Sequence, residues 1–347
     1  MELLLTIIIS LLTLVLIVVA CQLFTNAIEW LGHRFHLSDG AVGSVLAAVG
    51  TALPETIVPI IALISGHTSS NISHEAGEAI GIGAILGAPF LLSTLGIFVM
   101  GAAAIYFGKI RKTRSFTLHF KTDYLRRDLN FFFVAYTAVL LASLLHNPLF
   151  NHILAYGLLA WYGVYVWRIL QIQKEPSDAH LDMEPLTFDP KFLEPRTSLI
   201  LLQVLVSLGA IILLAHVFVE QINHFSGIFH LPALLVSLIL TPIATEMPEK
   251  FNSFTWIGKD KDTLALGNMT GAMVFQSTIP ASVGLLFTPW ILDYHGFLSV
   301  GICFLASIIL YIFANRFGPE KTPYVCLISG ILYSIFVGIA LYEVLAT

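Results

Sequence analysis

Charge is what this sequence has least of. Only 11% of its 347 residues are Asp, Glu, Lys or Arg, against about 25% in an ordinary soluble domain. A water-soluble fold of this length needs a charged skin, and a disordered chain needs more charge still. Basic residues are also scarce: 17 Lys+Arg stand against 22 Asp+Glu, a net charge of -5, so no positive footprint exists for DNA or RNA. The three cysteines, Cys21, Cys303 and Cys326, sit in apolar runs without C-x-x-C or metal spacing. That excludes a disulfide scaffold and reads as packing. Met1-Glu2 offers no basic start and no small-residue cleavage site follows before the next span, so the first apolar run is expected to be a retained helix.

What is abundant is apolar surface. Hydrophobic residues make up 57% of the chain and mean hydropathy is +0.85. Ten apolar segments are legible, near Leu3–Leu31, Gly40–Ser65, Ala79–Phe107, Asn130–Leu145, Phe150–Trp167, Leu199–Val219, Leu231–Ile257, Leu264–Phe287, Phe297–Phe313 and Tyr324–Leu345. Most are close to the 20 or so residues that a spanning helix needs. The expected fold class is therefore an all-α integral membrane protein with ten transmembrane helices. A polar stretch, residues 173–196, separates residues 1–172 from 197–347.

The basic residues follow this count. They fall in the loops after the odd-numbered spans, as Arg34, Lys109 to Arg127, Arg168 to Arg196, Lys259 and Lys261, and Arg316 and Lys321. Intervening loops such as HTSSNISHEAGE are polar yet have none, and only Lys250 lies within a span. The positive-inside rule then predicts both termini outside and a cytoplasmic middle linker.

Five spans per half means the halves run in opposite directions, the condition for an inverted repeat. HLSDGAVGSVLAAVGTALPE from His36 and HLPALLVSLILTPIATEMPE from His230 agree at seven of twenty positions, including Thr51/Thr245, Pro54/Pro248 and Glu55/Glu249. Glu78-x4-Gly83-x3-Gly87 likewise matches Asp262-x4-Gly267-x3-Gly271. Repeat cores are expected at about 36–100 and 230–288.

Each half places T-x-x-P-E inside an apolar helix. Proline removes a backbone donor, so the helix is expected to open there and free carbonyl oxygens. A carboxylate, a hydroxyl and a free carbonyl together suit a hard cation. A lone membrane glutamate costs about 2.5–3.5 kcal/mol if it behaves like Asp; two at equivalent repeat positions favour a site over a helix–helix hydrogen bond. Thr51 and Thr245 are open between ligand and helix back-bonding. The glycine pairs allow close helix approach. Gln276, Ser277, Thr278, Ser93 and Thr94 offer further oxygens, with packing the commoner role for such hydroxyls. His74-Glu75-Ala76-Gly77-Glu78 lacks the second histidine of a zinc motif and reads as an acidic helix start or a vestibule. His216, the main buried histidine, is by default a satisfied interior group, with a proton relay as the alternative.

Gly50-Thr51-Ala52-Leu53-Pro54-Glu55 and Ala244-Thr245-Glu246-Met247-Pro248-Glu249, each followed by a glycine-paired helix, resemble the G-T-S-L-P-E and A-T-S-L-P-E motifs of the sodium/calcium exchanger family. The resemblance covers nearly the whole chain. It implies a central cation site and alternating access by sliding of spans one and six. Glu55 and Glu249 match the two central glutamates, and Thr51 and Thr245 match backbone-carbonyl sodium ligands. Gln276 stands at the Asn/Asp position of G-N-x-x-G-S-N-x-x-N/D. The chain departs from the family where serines become Ala52, Ala88 and Ala272, and where Leu92 replaces the first-repeat Asn. Glu246 replaces the fourth serine. Lys250 follows Glu249, either to snorkel to the cytoplasm or to pair with Glu246 or Glu249.

The resemblance implies an inner-membrane antiporter moving Ca2+ or a similar cation against Na+ or H+, with Glu55, Glu249, Glu246, Thr51, Thr245 and Gln276 as the expected metal ligands. Alternatives are exchange of protons without sodium, and a non-transporting, ion-sensing relative. No cofactor is expected, nor an enzyme. The expected partners are inorganic cations and the lipid bilayer, with a monomer as the unit and no nucleic acid.

Overall fold

The computed structural model describes residues 2–34, 53–68, 70–111, 117–172, 185–190 and 195–346. Among them all regular structure is helical. The helices are α1 (Glu2–Arg34), α2 (Leu53–Thr68), α3 (His74–Leu91), α4 (Ile97–Arg111), α5 (Thr122–Leu145) and α6 (Pro148–Ile172) in the first part of the chain. The second part forms α7 (Thr197–Phe229), α8 (Ala233–Gly258), α9 (Asp262–Gln276), α10 (Ile279–Phe287), α11 (Tyr294–Phe317) and α12 (Thr322–Ala346). A π turn, Leu92–Gly96, joins α3 to α4 so that they form one rod.

Among the described residues eight helical segments are long and apolar enough to cross a membrane, counting α3–α4 and α9–α10 as one each. Two shorter apolar segments, Glu55–Thr68 and Ala233–Ile243, belong to α2 and α8. The α8 helix itself continues past this apolar segment to Gly258 and carries Glu246, Glu249 and Lys250. Helices α1 and α7, at 33 residues each, are about 50 Å long at 1.5 Å per residue. That exceeds the hydrocarbon thickness and calls for tilt. Leu4, Leu11 and Val15 of α1 and Leu205 and Leu213 of α7 are exposed, as lipid-facing side chains are.

The rod α3–α4 lies at the centre, and nearly every residue from Gly77 to Thr94 is buried. Glycine makes this possible. A Cβ at Gly77 would lie 2.7 Å from the Ala62 oxygen of α2; one at Gly87 would lie 2.6 Å from Pro242 Cγ of α8 and inside the Leu238 carbonyl oxygen. Pro242 has no N–H to offer Leu238, so this carbonyl lacks its helical donor and meets the glycine backbone instead. Ser237 Oγ adds a direct tie, donating to the Ile80 carbonyl of α3 at 2.7 Å.

Both central rods are irregular near their middle. In the first, the hydroxyls of Ser93 and Thr94 donate to the Phe90 carbonyl, at 3.0 and 2.5 Å. In the second, α9 ends at Gln276, and Ser277 and Thr278 donate to the Val274 carbonyl at 3.1 and 2.7 Å. Each irregular turn thus has its carbonyl covered by the next Ser-Thr pair. α8, in contrast, runs unbroken through Pro242 and Pro248. The expected opening at the second T-x-x-P-E does not end the helix, which continues through both prolines while packed on α3.

α1 packs along α7. Near one end, Gln203 Nε2 donates to the Leu23 carbonyl at 2.8 Å and to Asn26 Oδ1 at 3.0 Å. Part of the middle linker joins them: the amides of Thr187 and Phe188 donate to Asn26 and Gln203, and Leu186 is fully buried against Ala27, Trp30 and Ile200. The linker is therefore docked structure over 185–190, not merely a spacer.

Candidate functional site

Glu55 is buried in the first described turn of α2, at 4% exposure. Glu246, at 1% exposure, lies midway along α8. Its Oε1 accepts a hydrogen bond from Gln276 Nε2, at the last residue of α9. Gln276 is itself buried at 1% exposure, and its Oε1 has no hydrogen-bond partner among the described residues. Leaving a buried acceptor unmet costs about 1–3 kcal/mol.

Thr245 is buried one position before Glu246, and its hydroxyl donates to the Thr241 carbonyl at 3.1 Å. That bond uses the proton and leaves the oxygen lone pairs available. Glu249 lies on the same helix, but its side chain, with that of Lys250, falls outside what is described. Thr51 lies outside the described residues altogether. Of the six expected ligands, Glu246 and Gln276 are brought into contact, and buried Thr245 precedes Glu246 on the same helix.

The other sequence candidates have structural roles. Ser93, Thr94, Ser277 and Thr278 serve their own helices, as given above. His216 Nδ1 lies 3.3 Å from Ser65 Oγ, a satisfied interior contact. His74 pairs with Glu78 at 3.6 Å on a helix start capped by Ser73. Among the described residues no group of three or more His, Cys, Asp or Glu is placed to hold a metal.

One buried carboxylate was missed. Asp128, at 1% exposure, accepts from Arg127 Nε at 2.9 Å, Tyr165 Oη at 3.2 Å and Thr270 Oγ1 at 2.6 Å. It joins α5, α6 and α9. The apolar pattern starts the fourth segment near Asn130 and places R-R-D outside it. The helix instead begins at Thr122, so Asp128 is two turns inside. Its only sequence signal was an acid at the edge of a basic run.

Buried carboxylates and a buried amide oxygen within a bundle of apolar, membrane-length helices are what the described residues bring together. The chain belongs to the family of sodium/calcium exchanger proteins, whose family model matches residues 5–171 and 199–342. It is 23% identical over 311 residues to the inner membrane protein YrbG of Escherichia coli (strain K12), covering 88% of each chain. Its fold is shared with the H+/Ca2+ exchanger CAX, with a TM-score of 0.70 at 17% identity, over 98% of this chain and 89% of that one. The sodium-calcium exchanger NCX_Mj is also similar, with a TM-score of 0.57 at 18% identity, over 97% and 99% of the two chains.

Proposed function

We propose that this chain is an inner-membrane cation antiporter that moves Ca2+ or a similar divalent ion against Na+ or H+ by alternating access. The contact of Glu246 with Gln276 Nε2, beside a Gln276 Oε1 that is buried and has no partner among the described residues, carries this reading. Glu55 and Glu249 are its central acids, and Glu246 adds a carboxylate in place of a neutral hydroxyl. Thr51, Thr245 and Gln276 supply neutral oxygens. Two or three carboxylates with few neutral oxygens favour a hard divalent ion over a set of sodium ions.

The same reading includes ten spans arranged as two inverted five-helix repeats, 1–172 and 197–347, joined by a cytoplasmic linker, with both termini outside. It is supported by the eight long and two shorter apolar helices. The matched Ser-Thr pairs support it as well, since Phe90 and Val274 occupy equivalent repeat positions. YrbG, an inner membrane protein, supports the location.

The test is Ca2+ uptake into proteoliposomes under an imposed Na+ or pH gradient. Uptake should occur in the wild type and be lost in Glu55→Gln. Equal uptake in both would count against this site. Proton exchange without sodium is the second reading. It is favoured by Glu246, since a carboxylate can take and release a proton where a serine hydroxyl cannot. Uptake driven by a pH step and indifferent to sodium would select it, as the H+/Ca2+ exchanger CAX exemplifies for this fold.

A further inference from the structure

Away from the buried acids, α7 presents Glu220, Asn223 and His224 at i, i+3 and i+4, positions that share one helix face. With Asn71 and Ile72, from the turn joining α2 to α3, they line a cavity of about 300 Å3. The walls already touch: Asn223 Nδ2 donates to the Asn71 carbonyl at 3.1 Å. Glu220 and Asn223 are half-buried and His224 is exposed, so the cavity opens outward. No Lys or Arg occurs between residues 35 and 108, or between 197 and 249, so the segments that line the cavity bring no basic side chain of their own.

A carboxylate and an imidazole one turn apart, about 6 Å of rise, is a spacing at which a helix offers two ligands to one metal ion. The imidazole decides the class. Calcium and magnesium take oxygen ligands, whereas imidazole suits zinc, copper and nickel. We propose that this cavity is a binding site for a borderline divalent ion such as Zn2+, held by Glu220 and His224. The amides of Asn71 and Asn223 and water complete the shell. The ion clips α7 to the turn between α2 and α3.

The clip has a consequence for transport, which rests on the exchanger reading, whereas the binding does not. α7 packs with α1, and α2 carries Glu55. An ion fixing α7 to the α2–α3 turn opposes any cycle in which α1 and α7 move against α2 and α3. External Zn2+ therefore slows exchange.

The test is a ZnCl2 titration of the purified full chain, read by melting temperature, beside a CaCl2 titration. Zn2+ should raise the wild-type melting temperature saturably. His224→Gln and Glu220→Gln should each weaken the apparent Zn2+ affinity by about tenfold or more, since even outer-shell losses at metal sites cost 10–100-fold. Any Ca2+ shift should be indifferent to His224→Gln. The double variant His67→Gln/His74→Gln removes a tilted pair of neighbouring imidazoles, with centroids 4.3 Å apart, and should behave as wild type. Three results overturn the site: no Zn2+ shift in the wild type, a full shift in His224→Gln, or its loss in the His67/His74 variant. Both α7 substitutions lie at an open cavity, and the melting temperature without Zn2+ verifies folding. Zn2+ binding without any cation flux would sink the exchanger reading and leave the site. Flux without a Zn2+ shift would do the reverse.

Discussion

Glu246 sits where the family motif has serine, and Gln276 where it has Asn or Asp; the two side chains touch. The acidic charge therefore has a second residue to live on across one contact. A hydrogen bond to a charged group contributes about 1.5–3 kcal/mol, so Glu246→Gln should weaken cation binding by about 10–100-fold, read from cation-dependent melting shifts. The exchange Glu246→Gln/Gln276→Glu should recover part of that loss, because it returns the carboxylate to the same space. A double variant no better than the single one would show that the carboxylate matters only on α8. Asp128 behaves differently. Asp128→Ala strands the Arg127 guanidinium and the hydroxyls of Thr270 and Tyr165, and breaking a buried pair costs about 3–5 kcal/mol. Its melting temperature should fall well below that of Asp128→Asn, which keeps the shape and an acceptor. The difference in legibility between these acids is physical. Glu55 and Glu246 stand in apolar runs where any charge is conspicuous. Asp128 follows two arginines, and that sequence looks like the edge of a loop until the helix is seen to begin at Thr122.

Helix positions were legible because apolar length is a direct readout of the bilayer, and the glycine pair of α3 because close approach needs the absence of a Cβ. Gly87→Ala puts a methyl into the Leu238 carbonyl and against Pro242. Overpacking of this kind costs about 1–3 kcal/mol, so the melting temperature should drop. Gly157→Ala, on exposed α6 with no neighbour within 4 Å, should be neutral or stabilising by up to about 1 kcal/mol, the helix-propensity gain over glycine. If both variants behaved alike, the α3–α8 contact would not be as close as described. The π turn was not legible. Leu92–Gly96 reads as ordinary apolar helix, and the extra residue per turn emerges only when Ser93 and Thr94 turn back onto the Phe90 carbonyl. Nor was the continuity of α8 legible: proline forecasts a lost hydrogen bond, but whether a helix ends there depends on its neighbours.

At the scale of the whole molecule, parity decides how many helices cross the bilayer. Among the described residues eight segments have membrane-spanning length, while those of α2 and α8 that are described give shorter apolar runs. Between His146, exposed at the turn joining α5 to α6, and Lys259, exposed at the end of α8, lie α6, α7 and α8. If α8 crosses, three spans separate the two positions and they face opposite sides; if it does not, they share a side. Between the N-terminus and His146 lie α1, α2, the α3–α4 rod and α5, so both share a side only if α2 crosses. The native thiols interfere little, since Cys303 and Cys326 are buried and Cys21 is half-buried. With an impermeant maleimide on intact cells, His146→Cys and a cysteine added before Met1 should both label. Lys259→Cys should label only after permeabilisation, with the basic loop inside. Labelling of Lys259→Cys and His146→Cys from one side would remove α8 from the membrane count. It would remove the inverted repeat as well, because two halves with different numbers of crossings cannot mirror each other.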